Sequence, residues 1–142
     1  MLAPTRRATA CGTLNATAML LNRTVFYKVG HHASHNATLR AKGLELMTHH
    51  DLVAMIPVNH AMALKKRWAM PFSPLRAALE ERTRGRLMLV DEGIPLANDA
   101  TPAPRLTGAE RARFLQSIAH EDNRIEGNQV HGIGYVEYTI AL

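Results

Sequence analysis

Cysteine occurs once, at Cys11, which excludes an intrachain disulfide framework and fits a reducing compartment. Aromatic residues are scarce: one Trp, three Tyr and three Phe offer little for stacking nucleic-acid bases, and no DNA- or RNA-binding motif accompanies them. No apolar run approaches the ~18 residues of a membrane span. The opening MLAPTRRATACGTLNATAMLL has two arginines, as targeting segments do, but Asn15 and Thr17 break its apolar part, so it makes a poor signal-peptide core. A cytoplasmic protein is expected, in which the sequons at Asn15, Asn22 and Asn36 carry no meaning. Acidic residues are missing from the first 44 positions, and Glu45 is the first carboxylate. No internal repeat or low-complexity tract is visible.

What is present describes an ordinary globular chain. Its 142 residues suffice for one domain with a core, and 46% hydrophobic with 20% charged residues is a typical balance. Seventeen basic against twelve acidic residues leave a formal +5, which suits an anionic partner. The densest basic cluster, Arg82, Arg84 and Arg86, reads as a solvated face.

The pattern along the chain alternates strands and helices. Residues 1–22 carry no clear period and form a poorly defined N-terminal segment. Thr24–Val29 is β-branched and aromatic and closes at Gly30, a strand signal. Ser34 or Asn36 could cap a helix reaching about Met47, weakened by Gly43. LVAMIPV, residues 52–58, reads as a buried strand, and NHAMALKKRWAMPF after it as irregular, opening on a helical turn. Ser73 with Pro74 predicts a helix start and Gly85 its C-terminal glycine. RLMLV, residues 86–90, is a further strand, followed by a proline-rich loop. Thr107 and Glu110 form a T-x-x-E capping box for a helix to about His120. A second loop then leads into YVEYTIAL, a terminal strand. The fold class is α/β.

Three histidines, His31, His32 and His35, follow the first strand within five residues. Ligands of α/β proteins collect beyond the carboxyl ends of strands, and neutral imidazole is a common ligand for zinc. Spacing alone leaves metal ligation and plain loop histidines both open. His49 and His50, ahead of Asp51, read as surface residues, and His60, His120 and His131 stand isolated.

The stretch KVGHHASHNATL resembles the late histidine motif, usually HHGS, of metallo-β-lactamase-fold hydrolases, including the DNA-uptake-associated and phosphodiesterase-like branches. Residues 24–90 and YVEYTI are similar to the end of such a domain. The resemblance implies that residues 23–142 are the C-terminal portion of an αββα sandwich, incomplete in itself. It implies zinc or a similar divalent ion, His31 and His32 at the metal with His31 favoured as ligand, and Ser34 and His35 near substrate or behind the ligands. It also implies hydrolysis of a phosphodiester or other ester by metal-activated water. Ala33 stands where glycine is usual. The family's HxHxDH motif is absent, and so is a bridging aspartate ahead of TVFYKV. One histidine loop cannot build that site alone, so the expectation is a fragment from a truncated reading frame, inactive without a missing N-terminal half. Two other readings compete. One is a small basic α/β module binding nucleic acid or another anionic partner through Lys65, Lys66, Arg67 and Arg82, Arg84, Arg86. The other, a Ser or Cys hydrolase on Ser34 or Cys11, lacks a G-x-S-x-G elbow.

Overall fold

In a computed structural model, which describes residues 16–91, 106–122 and 133–140, the chain is mixed α/β. In order come α1 (Ala16–Asn22), β1 (Phe26–Lys28), β2 (Val53–Ile56), α2 (His60–Lys65), α3 (Ser73–Arg82), β3 (Leu87–Leu89), α4 (Gly108–Gln116), β4 (Ile118–Asp122) and β5 (Ile133–Tyr138). The first three strands form a parallel sheet in the order β1-β2-β3, pairing Phe26 with Val53 and Ala54 with Leu87. The last two form an antiparallel pair in which Ile118 faces Tyr138.

Alternation along the strands divides the apolar residues between two faces. Tyr27, Val29, Ala54, Ile56, Leu87 and Leu89 pack with Leu75 and Leu79 of α3. Phe26, Val53, Met55 and Met88 meet Phe114 of α4 and Ile118, Val136 and Tyr138 of the β4–β5 pair. A parallel sheet is stable only when covered on both faces, which is why β2 and β3 read as unbroken apolar runs. Among the described residues, no helix is long and apolar enough to cross a membrane.

Several sequence expectations are corrected. The helix expected to reach Met47 does not form; a single 3-10 turn, Leu44–Leu46, stands near its end. Gly43 adopts φ −138, ψ −96, and the Leu44 N–H turns back to the Leu39 carbonyl at 2.8 Å, leaving Leu39 71% exposed. Ser34 therefore opens no helix; its hydroxyl donates to Asn36 Oδ1 at 3.0 Å. Phe72, not Ser73, occupies the N-cap of α3. At the other end of α3 the expected Gly85 does have positive φ (93), and Arg84 before it is left-handed too (φ 58), so the reversal spans two residues. The Arg84 and Gly85 N–H groups return to the Glu81 and Glu80 carbonyls at 3.1 and 3.0 Å, closing the helix. Part of the expected structureless opening is α1, while residues 1–15, with Cys11, lie outside the described residues. The last helix ends at Gln116, short of His120, because Ile118–Asp122 pair with β5 instead.

The capping box forms as read: the Glu110 N–H reaches Thr107 Oγ1 at 3.3 Å, and the Thr107 N–H reaches Glu110 Oε2 at 2.8 Å. The same carboxylate receives Arg84 Nη1 at 2.8 Å and Nη2 at 3.3 Å, tying the end of α3 to the start of α4. The Thr107 N–H, then Arg84 and the Thr107 hydroxyl, hold the Glu110 carboxyl down to about 2 from the usual 4.5. Because the folded value is lowered, the stabilisation is complete above about pH 4.5 and is lost as pH falls toward about 2. Glu110→Gln should therefore be less stable than the parent at neutral pH, with the gap closing on acidification. Denaturant unfolding of both chains over this range measures it; a gap independent of pH would refute the assignment.

Candidate functional site at the carboxyl edge of the sheet

Because β1, β2 and β3 run parallel, the residues after each of them gather at one edge. These are His31 and His32 after β1, Pro57, Asn59 and His60 after β2, and Asp91 after β3. An edge of this kind is where α/β proteins carry chemistry.

His31, His32 and Ala33 form a 3-10 turn with φ of 44, 51 and 58. Left-handed backbone costs a residue with a side chain roughly 1–2 kcal/mol, so three in succession require outside support. The support is visible. Ala33 is fully buried, its carbonyl accepts the Phe72 N–H at 2.7 Å, and its own N–H reaches the Gly30 carbonyl at 2.9 Å. Ala33 thus takes a conformation that glycine adopts freely, while its methyl group fills the core.

The turn leaves His31 and His32 exposed. His32 Nδ1 lies against the Pro57 carbonyl oxygen, joining the end of β1 to the end of β2. A carbonyl only accepts, so Nδ1 is the donor in this contact, which leaves Nε2 as the ring nitrogen through which an imidazole could ligate metal. Among the described residues no such bond orders His31. His35 stands edge-on to Phe72, with ring centres 6.3 Å apart.

The structure adds a residue that the sequence left unassigned. His60 opens α2, whose N-cap Asn59 accepts the Met62 N–H at 2.8 Å. Asp91 grips His60 twice, with Oδ1 2.9 Å from ring Nδ1 and Oδ2 accepting the main-chain N–H. A histidine after one apolar strand and an aspartate after another were the available signal, but their pairing requires parallel neighbouring strands.

At the opposite edge, where β2 begins, His49, His50 and Asp51 form the one trio of described residues whose ligand atoms lie within 4.8 Å of one another. Among the described residues, His31 and His32 belong to no such group, so they do not by themselves complete a ligand shell. The arginine cluster read as a solvated face is divided: Arg86 is 3% exposed, whereas Arg82 and Arg84 are partly exposed, Arg84 being paired with Glu110. Burial lowers the Arg86 pKa, and Asp51 partly opposes this.

No protein-family model, curated protein or solved structure matches this chain.

Proposed function

We propose that the chain supplies the late-histidine part of a metal-dependent hydrolase of the metallo-β-lactamase fold, acting on a phosphodiester or other ester. The reading is carried by His32, whose Nδ1 is held by the Pro57 carbonyl on a strained turn at the carboxyl edge of the sheet. Strain of this kind persists where surrounding structure enforces it and is concentrated at functional sites. The carbonyl fixes the tautomer and the direction of the ring, so His32 is the ligand and His31 its exposed neighbour. This reverses the order that the motif resemblance favours.

A divalent ion such as zinc would supply the chemistry by lowering the pKa of a bound water. The chain's own contribution is an oriented imidazole and an edge closed by the His60–Asp91 pair. The remaining ligands would come from a further part of the domain.

The test is a zinc titration of the full chain followed through the nitrogen-15 signals of the histidine rings. His32 Nε2 should shift at high zinc, weakly and reversibly, because a single ligand has no preformed shell around it. His32→Ala should remove this edge's binding, a loss of at least about tenfold, and His31→Ala should retain it. A zinc response at His31 that survives His32→Ala, or none at either ring, would sink the reading.

A further inference from the structure

We infer that His49, His50 and Asp51 form a binding site for a divalent transition-metal ion at the amino edge of the sheet, independent of the proposed hydrolase site. The three residues are consecutive, yet their ligand atoms converge to within 4.8 Å of one another. Convergence of neighbours needs a bent backbone, and the loop entering β2 provides it. The Leu52 N–H returns to the His49 carbonyl at 3.1 Å, and the Asp51 N–H reaches His49 Nδ1, also at 3.1 Å. The two imidazoles stack with centres 4.9 Å apart and an interplanar angle of 22°, so they share one side of the loop.

Arg86 makes this shape rigid. Its Nη2 donates to the His50 carbonyl, its Nε to the Leu52 carbonyl at 3.2 Å, and its Nη1 stands 3.5 Å from Asp51 Oδ1. The guanidinium therefore holds the main chain on both sides of Asp51 and faces one carboxylate oxygen. The other oxygen, Oδ2, lies 2.9 Å from His50 Nε2. That is the hydrogen-bonded form of a ligand pair: His50 Nε2 and Asp51 Oδ2 would hold an ion in place of the shared proton, which would leave to solvent. His49 joins by giving up its 3.1 Å bond from the Asp51 N–H.

Two imidazoles with one carboxylate suit zinc, nickel or copper(II) rather than magnesium or calcium, which prefer oxygen shells. Three protein ligands leave coordination positions open to solvent. Asp51, 40% exposed, and His50, 68% exposed, are reachable from outside. The nearby Arg86 charge opposes the ion, so affinity is modest and the metal exchangeable. Binding links to stability, because the ion closes a loop on which the entry to the central strand depends.

The probe is zinc alone, added to the full chain. Equilibrium dialysis should give one exchangeable equivalent, and the nitrogen-15 ring signals of His49 and His50 should shift together. His50→Gln retains the main-chain carbonyl that Arg86 uses, and should lower this affinity by about 10- to 100-fold or more. His32→Ala should leave it unchanged. Magnesium at the same concentration should produce no ring shift. Ring signals of His49 and His50 that ignore zinc, or zinc binding at these rings that survives His50→Gln, would overturn the site. Loss of the response in His32→Ala would do the same, by assigning the ion to the carboxyl edge. If His50→Gln unfolds, His49→Gln with the same ring readout decides, since His49 makes none of the Arg86 contacts.

Discussion

Arg86→Met should destabilise the chain by about 2–4 kcal/mol, measured by denaturant unfolding. Arg86 is 3% exposed and serves the His50 and Leu52 carbonyls through separate nitrogens. Methionine fills much of the same space but donates nothing, and each buried acceptor left without a partner costs about 1–3 kcal/mol. Relief of the buried charge offsets part of that loss. The Asp51 contact adds little, since that carboxylate is 40% exposed and the separation is 3.5 Å. Arg86→Lys should recover less than half of the loss, because one ammonium cannot reproduce a planar fork directed at two carbonyls and a carboxylate. A methionine variant within about 0.5 kcal/mol of the parent would show that the entry to β2 does not depend on Arg86.

Phe114→Ala should cost about 3–5 kcal/mol, comparable to other phenylalanine truncations in packed cores. Phe114 is 3% exposed and joins Val53 and Met88, on the far face of the sheet, to the Tyr138 ring with centres 6.1 Å apart. Tyr138 also stacks on Phe26 at 5.8 Å, so these aromatics fasten the β4–β5 pair to the parallel sheet. The variant carries a second, local readout. Burial raises the Tyr138 pKa above the usual 10.0, opposed in part by Arg86. Removing Phe114 lets water reach the phenol, and its ionisation should fall back toward the usual value. Spectrophotometric titration of the folded variant tests this; a Tyr138 titration identical to the parent's would mean that Phe114 does not seal that face.

Much of the chain's local organisation is legible without coordinates. The apolar cores of TVFYKV, LVAMIPV and RLMLV become strands because β-branched and large apolar side chains fit a sheet covered on both faces. Thr107 and Glu110 start a helix because their hydrogen bonds span only three residues. Gly30 with the histidines after it marks the end of a strand, and the topology places that end at an edge shared with His60 and Asp91. The same local logic fails between Ser34 and Met47. There helical spacing competes with Gly43 and with a Tyr27–Thr38 hydroxyl contact of 2.6 Å, which draws the segment onto β1.

Contacts that cross the sheet lie beyond any local pattern. Arg86 resembles Arg82 as a sequence letter, yet its acceptors are 34 and 36 positions away and exist only after β2 and β3 align. His60 looks isolated until parallel pairing sets Asp91, 31 positions later, against its ring. The choice between His31 and His32 likewise waits for the Pro57 carbonyl, 25 residues along, since strand parity is lost once the backbone turns left-handed. Residue type and short-range hydrogen bonding settle most of the elements and where imidazoles are offered. Which imidazole is oriented, and which arginine is buried, depends on groups brought together by strand pairing, and that information is carried by the packed chain as a whole.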